Sequence, residues 1–161
     1  MAITKLIADS ITSGAIANTP AFRSRKLSGD GTTTMSANTW TKVLFPSEEY
    51  DTDNAFDVSN GRFTPQTTGK YFIMANLVGS FTGSAPGSWR FAVYKNGSKY
   101  VEIGYNTYGT SSGLVYIHNV HAIVDMNGSS DYIEIYAKVN VSNAIIDQDA
   151  TDTNVQGYRL I

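Results

Sequence analysis

The sequence contains no cysteine, and charged residues make up only 16% of its 161 residues. The absence of cysteine excludes disulfides, thiol nucleophiles and cysteine-ligated zinc. The 12 Lys and Arg residues are scattered and the net charge is −2. Phosphate binding needs a concentrated basic face, so this charge pattern argues against a nucleic-acid partner.

The chain also lacks a long apolar run at its start. Lys5 and Asp9 interrupt the apolar residues between Met1 and Thr19, so this segment predicts neither a signal peptide nor a membrane-inserted anchor. We interpret residues 1–19 as an extended N-terminal arm that docks on a partner surface. The candidate docking residues are the apolar ones: Ile3, Leu6, Ile7, Ile11 and Ile16.

From residue 20 onward, short runs of β-branched and aromatic residues alternate with clusters of Gly, Asn, Asp and Ser. The dipeptides Asn60-Gly61, Asn96-Gly97 and Asn127-Gly128, together with Gly29-Asp30-Gly31, are typical of tight hairpin turns. This pattern predicts one all-β domain over residues 20–161, a sandwich or jelly roll of nine or ten strands. The predicted strands are about Phe22–Leu27, Thr41–Phe45, Arg62–Thr64, Lys70–Val78, Trp89–Lys95, Lys99–Tyr105, Leu114–Val124, Tyr132–Val141 and Val155–Leu160.

Two predicted strands differ in the character of their faces. The strand near Ile133 alternates apolar and polar residues, which predicts one core face and one polar face. The strand from Tyr71 to Val78 is largely apolar on both faces, so its second face needs a cover. We expect a second subunit to provide it, the alternative being an internal loop or the arm. The candidate interface residues are Tyr71, Phe72, Ile73, Met74 and Leu77.

The sequence offers no arrangement typical of catalysis. His118 and His121 are three positions apart on a predicted strand, which places them on opposite faces. No nucleophile elbow, phosphate-binding loop or dinucleotide fingerprint is present. Two acidic clusters, Glu48–Asp57 and Asp147–Asp152, are either solvated loops or weak candidates for calcium. We therefore expect a protein that is not an enzyme and has no cofactor.

Four tyrosines lie among Asn, Ser and Gly residues, a mixture that suits contacts with sugars or proteins. The alternative is that they form cross-strand packing pairs. The candidate ligand-surface residues are Tyr94, Tyr100, Tyr105 and Tyr108.

An ordered set of positions in the first half of the chain resembles the signature of the complement C1q globular-head family, part of the tumour necrosis factor-like jelly rolls. The matching residues are Phe45, Asp51, Phe56, Phe63, Gly69 and Tyr71. The chain departs from the family at Ile73 and Ala75, where aromatic residues are usual. Further resemblances are Pro20–Phe22, Tyr94–Gly97 and Gln156–Leu160, so the likeness extends over residues 20–161.

The resemblance implies a ten-strand jelly roll that assembles as a tight homotrimer and acts as a non-enzymatic binding head. The cysteine-free sequence and the short arm look like versions carried by tailed bacteriophages. This predicts a virion structural protein at the virion surface, assembled in the host cytoplasm. The first interpretation is a capsid decoration protein docked on the major capsid or another virion protein. The alternatives are a tail-fibre or tail-spike head that binds a host glycan or protein receptor, and a soluble lectin-like module.

Overall fold

The computed structural model describes residues 19–106, 116–148 and 152–161, and only the backbone of Tyr116. This part of the chain forms thirteen strands and contains no helix, so it has no helix capable of spanning a membrane. The strands β1 to β13 are, in order, Ala21–Arg25, Thr33–Thr34, Thr41–Lys42, Ser47–Asp51, Phe56–Asp57, Arg62–Phe63, Thr68–Phe81, Ser88–Lys95, Ser98–Asn106, Tyr116–Asn127, Ile133–Val139, Ala144–Ile146 and Asn154–Arg159.

The described strands form two antiparallel sheets. The β7 sheet has the order β2-β12-β7-β13-β1-β4, with β10 paired to β7 from Thr68 to Gly79. The β8 sheet has the order β5-β6-β11-β8-β9, with β3 also paired to β11. Buried side chains from both sheets meet in one apolar core. The predicted all-β fold class is therefore confirmed.

The turns follow the chemistry of their residues. Asn96 and Gly97 connect β8 to β9 with φ of 52° and 74°, the left-handed conformation that a two-residue hairpin turn requires. Gly61 and Gly128 also have positive φ. The predicted hairpins at Asn60-Gly61 and Asn96-Gly97 are present, since each joins two paired strands. The hairpin prediction is wrong for Gly29–Gly31 and Asn127-Gly128, because β1 does not pair with β2 and β10 does not pair with β11. Four short strands escaped prediction. These four are β2, β4, β5 and β12.

The central strand β7 has one face in the core and one on the outside. Tyr71, Ile73 and Leu77 are fully buried inside the sandwich, whereas Phe72 and Met74 point outward and are half-buried. The expectation that all five contact another subunit is therefore wrong for the three buried residues. The alternation of a strand already commits their side chains to the core of their own chain.

The strand β11 departs from the predicted polar face. Its apolar residues from Ile133 to Val139 fill the core as expected, but Glu134 on the opposite face is only 3% exposed. The side chains that surround Glu134 cover it, and they are described with the functional site below.

The residues that resemble the C1q signature have structural roles. Phe22 stacks between Phe56 and Phe63, with ring centroids 4.7 and 4.4 Å away, and Phe63 packs edge-on to Tyr71 at 5.6 Å. Phe45 is fully buried, as is Tyr71. These aromatic positions therefore build the core.

The two remaining signature positions shape the backbone. The Asp51 carboxylate accepts a hydrogen bond of 2.6 Å from the Phe56 amide, which holds the loop between β4 and β5. Gly69 has φ of 155°, and a Cβ there would lie 2.1 Å from the Ile161 carbonyl oxygen. Only glycine fits this close approach.

Candidate functional site

The outer face of the β7 sheet exposes several large apolar side chains. In one cross-strand row, Phe72 of β7 lies between Ile123 of β10 and Tyr158 of β13. The Phe72 and Tyr158 ring centroids are 5.7 Å apart. Ile123 is 56% exposed and Tyr158 is 39% exposed. Large apolar side chains from three adjacent strands thus form one continuous patch.

The next row of the same face combines one apolar residue with two polar ones. Met74 of β7 lies between His121 of β10 and Gln156 of β13. The His121 ring approaches Phe72 with centroids 6.3 Å apart. None of the six residues in these two rows is Asp, Glu, Lys or Arg, and we call the six together the apolar face.

Charged groups lie at the margins of the apolar face. On β1 and β4, Glu49 accepts ion pairs from Arg25 at 2.6 Å and Arg23 at 3.3 Å. In the adjoining row along β7 and β10, Lys70 pairs with Asp125 beside an open depression of about 400 Å³. An apolar centre with a charged rim is the usual anatomy of a protein–protein interface.

The two histidines lie on opposite faces, as predicted. His118 faces inward, where its ring stacks on Tyr105 at 3.9 Å and contacts Phe91 at 5.2 Å. This burial lowers the pKa of His118. His121 is exposed on the apolar face. The two rings therefore cannot share a ligand or exchange a proton.

The structure does not bring the candidate ligand-surface tyrosines together. Tyr105 packs inward on His118, and Tyr94 packs on Tyr136 with ring centroids 4.2 Å apart. Tyr100 lies at the sheet edge, where its hydroxyl donates to the Ile123 carbonyl at 3.1 Å. The proposed shared surface is therefore wrong for these three, because Tyr94 lies on β8 and the other two on β9, and their side chains point to different sides of the sheet.

The outer face of the β8 sheet carries an aromatic cluster that the sequence did not predict. Trp40, which precedes β3, meets Tyr94 of β8 edge-on with centroids 5.9 Å apart, and Tyr94 packs on Tyr136 of β11. We call these three residues the aromatic face. Trp40 lies in a connecting segment, where no periodicity assigns a face, so its partners emerge only from the pairing of β3 with β11.

The buried carboxylate of Glu134 lies beside the aromatic face. Its Oε1 accepts hydrogen bonds from Arg62 at 2.8 Å and from Lys42 at 3.0 Å, and its Oε2 accepts one from the Tyr136 hydroxyl at 3.3 Å. Burial raises the pKa of Glu134, but the hydrogen bonds from Arg62 and Lys42 outweigh burial and hold it below its usual value. Glu134 is thus a buried carboxylate that stays ionised and binds two cationic side chains.

The acidic clusters have structural contacts where they are described. Asp57 accepts bonds from the Ser59 amide and hydroxyl, which lower its pKa. The Asp147 carboxylate accepts a bond from the Ser80 hydroxyl. Within residues 19–106, 116–148 and 152–161, no three His, Asp or Glu side chains are grouped to hold a metal ion.

Several sequence predictions fall outside the described residues. They concern Tyr108, Asp149, the start of the predicted strand at Leu114, and the arm residues Ile3, Leu6, Ile7, Ile11 and Ile16.

Comparison with solved structures identifies the architecture. The globular domain of zebrafish complement 1qA is 14% identical over 88% of this chain and 98% of that one, with a TM-score of 0.61. Murine APRIL at pH 8.0 is 10% identical over 87% of this chain and 98% of that one, with a TM-score of 0.63. This chain has their fold. Family models give no match, and neither do curated protein sequences.

The comparisons support the C1q and tumour necrosis factor-like part of the sequence interpretation. The likeness covers nearly the whole of both solved domains, so it extends over the complete sandwich. At 14% and 10% identity it concerns the fold, while the bacteriophage assignment rests on the sequence alone.

Proposed function

We propose that the chain is a non-enzymatic jelly-roll head that assembles as a homotrimer through its apolar face. The observation that carries this proposal is the row formed by Ile123, Phe72 and Tyr158, which exposes large apolar side chains on three neighbouring strands. Monomeric proteins rarely expose a continuous patch of this kind. A second and a third copy of the chain would remove it from water.

The margins of the apolar face also support self-association. Obligate interfaces commonly bury more than about 2,000 Å² and are more apolar than other contacts. The pairs Arg25–Glu49 and Lys70–Asp125 frame the patch and would remain at the rim. No unpaired charge would then have to enter the interface centre, where its desolvation would be costly.

A non-enzymatic role agrees with how the titratable groups are used. His118 stacks within the sandwich and His121 lies on the proposed interface. Glu134 is held by two cations and a phenol. Each group has a structural partner that leaves it poorly placed for proton transfer to a substrate.

For its biological place, we propose the surface of a virion. The support is the sequence of residues 1–19, whose apolar residues would dock the head on the major capsid or another virion protein. Our first candidate is a capsid decoration protein. A tail-fibre or tail-spike receptor head remains the second candidate, and the aromatic face on the far side of the sandwich favours it. Antibody labelling of purified particles under the electron microscope tests both, through the position of the label.

The trimer is tested by placing a carboxylate at the centre of the apolar face. Ile123→Asp should shift the sedimentation of the protein from trimer to monomer or unfold it, because three buried charges would converge. Phe72→Ser, which adds no charge, should weaken the trimer less severely and keeps the test informative if the first variant does not fold. Lys99→Asp is the matched control, since Lys99 is an exposed residue of β9 on the other sheet. An Ile123→Asp protein that folded and stayed trimeric would contradict this interface.

A further inference from the structure

The aromatic face has two cations near its largest ring, the exposed Lys99 and the half-buried Lys138. The Lys99 and Lys138 ammonium groups lie 5.4 and 6.0 Å from the Trp40 ring centroid. Among the described residues, Lys138 forms no ion pair, while Lys99 pairs with Glu102. The Lys138 ammonium is therefore available to pair with an anionic group of a ligand, and the Trp40 ring beside it offers an apolar contact surface.

The charge of the surrounding sheet face points the same way. The cations there are Lys42, Arg62, Arg90, Lys99 and Lys138, and the carboxylates are Asp57, Glu102 and Glu134. Glu134 is engaged by Arg62 and Lys42 and buried to 3% exposure. Cations therefore outnumber carboxylates on this face, although the whole chain has a net charge of −2.

The polar groups favour a sugar polymer over other anions. Aromatic rings pack against the apolar face of a sugar ring, and phenols and carboxylates accept hydrogen bonds from its hydroxyl groups. The Tyr94 and Tyr136 side chains are half-buried beside Trp40, and Glu102 keeps 29% of its side chain exposed. The DNA backbone, in contrast, offers no hydroxyl donors to these acceptors.

We propose that the aromatic face binds an anionic polysaccharide, with Trp40 stacked on a sugar ring and Lys99 and Lys138 paired to its acidic groups. The site lies on the opposite side of the sandwich from the apolar face, so it stays open in an assembled trimer. The three copies of this face in one trimer could bind the same polymer chain, which would raise the avidity. The acidic groups of the polysaccharide are carboxylates or sulfates, and the two acidic polysaccharide probes below distinguish between them.

The experiment measures binding of the full-length protein to immobilised polymers. The probes are polygalacturonate for carboxylates, heparin for sulfates, dextran as the uncharged sugar polymer, poly-glutamate as the acidic polymer without sugar, and single-stranded DNA. We expect binding to polygalacturonate, heparin or both that weakens with added salt, because counterions are released. Binding to dextran, poly-glutamate and DNA should be at least about tenfold weaker. This is the change in affinity expected when an aromatic or a cationic contact is missing.

Variants assign the binding to this face. Trp40→Ala and Lys99→Gln/Lys138→Gln should each lower the affinity for the bound polysaccharide by about tenfold. Trp40→Phe, which retains a ring, should restore part of it. Lys70→Gln is the matched control, since Lys70 is an exposed cation of the other sheet. Each variant is first compared with the native protein by thermal unfolding.

Three results would overturn the proposal. One is the absence of binding to both acidic polysaccharides. The second is poly-glutamate or DNA binding as tight as polysaccharide binding, which would make the face a docking site for another class of macromolecule. The third is an equal loss of affinity in Lys70→Gln and in the folded Trp40 and lysine variants, which would leave only a general charge effect.

Discussion

At the residue scale, Glu134 shows how a carboxylate is kept ionised while it is buried. Its Oε1 alone accepts hydrogen bonds from Arg62 and Lys42, and the Arg62 guanidinium also lies 3.8 Å above the Tyr132 ring. Strand alternation predicts an exposed side chain at this position. The difference arises because long cationic side chains from β3 and β6 fold over it, and a pattern within one strand contains no information about its neighbours.

Removing the Glu134 carboxylate should destabilise the domain. Glu134→Ala leaves Arg62 and Lys42 without their acceptor, and we expect a loss of about 1–3 kcal/mol in the free energy of unfolding. Glu102→Ala is the matched control, because Glu102 pairs with partly exposed cations on the same face and should cost below about 1 kcal/mol. Urea unfolding of both variants measures the difference. Equal losses would show that burial adds nothing at Glu134.

The same carboxylate should make stability depend on pH. Its pKa is lowered in the folded protein, so its charged form stabilises the fold above the pKa of the unfolded chain. That contribution disappears as the pH falls through the lowered folded pKa. In urea unfolding at pH 7 and pH 3, the stability difference between the native protein and Glu134→Gln should therefore shrink toward the acidic end. A difference that grew on acidification would show that the pKa is raised instead.

At the element scale, the hairpin between β8 and β9 is tied to the neighbouring turn by one side chain. The Asn96 Nδ2 donates to Asp131 at 2.7 Å, and its Oδ1 accepts from the Tyr132 amide at 2.9 Å. Asn96 itself has φ of 52°. One residue thus satisfies the turn geometry and joins two loops at the same end of the β8 sheet.

Substitution of Asn96 separates these two roles. Asn96→Ala loses the side-chain bonds and replaces asparagine, which tolerates the left-handed region, with a residue that does not, and together these changes should cost about 2 kcal/mol. Asn96→Gly loses the bonds but accepts the backbone conformation, so its stability should lie between the alanine variant and the native protein. Thermal unfolding ranks the three. An alanine variant as stable as the glycine variant would show that the left-handed backbone conformation at residue 96 does not affect stability.

The long strands and tight turns were predictable, and the short strands were not. β7, β8, β9 and β11 have apolar periodicity, and Asn-Gly pairs mark several of their ends. β2 and β5 contain two residues each, too few for any period to appear. The apolar face was predicted in part from Phe72 and Met74, whereas Ile123 and Tyr158 join it only through the pairing of β10 and β13 with β7.

At the scale of the whole molecule, the two outer faces of the sandwich differ in chemistry. The β7 sheet presents the apolar face, and the β8 sheet presents aromatic rings with cations. In the proposed trimer the first is buried between copies and the second points away from them. Assembly and ligand binding would therefore use opposite sides of one fold.

Deleting residues 1–19 should separate folding from attachment. β1 begins at Ala21, so a chain that starts at Pro20 should fold and trimerise with nearly the native melting temperature. It should lose attachment to particles, because the apolar arm residues could each contribute roughly 1.5–3 kcal/mol on burial. Co-sedimentation with particles compares the two chains. Undiminished attachment of the shortened chain would contradict the docking role of the arm.

The mass of the full-length protein in solution tests the central claim most directly. Sedimentation equilibrium at micromolar concentration should give three times the chain mass of 17.5 kDa, because association would bury the large apolar side chains that Ile123 and Tyr158 expose. A value that stayed at 17.5 kDa at this concentration would contradict the account, since the apolar face would then be exposed in the native state.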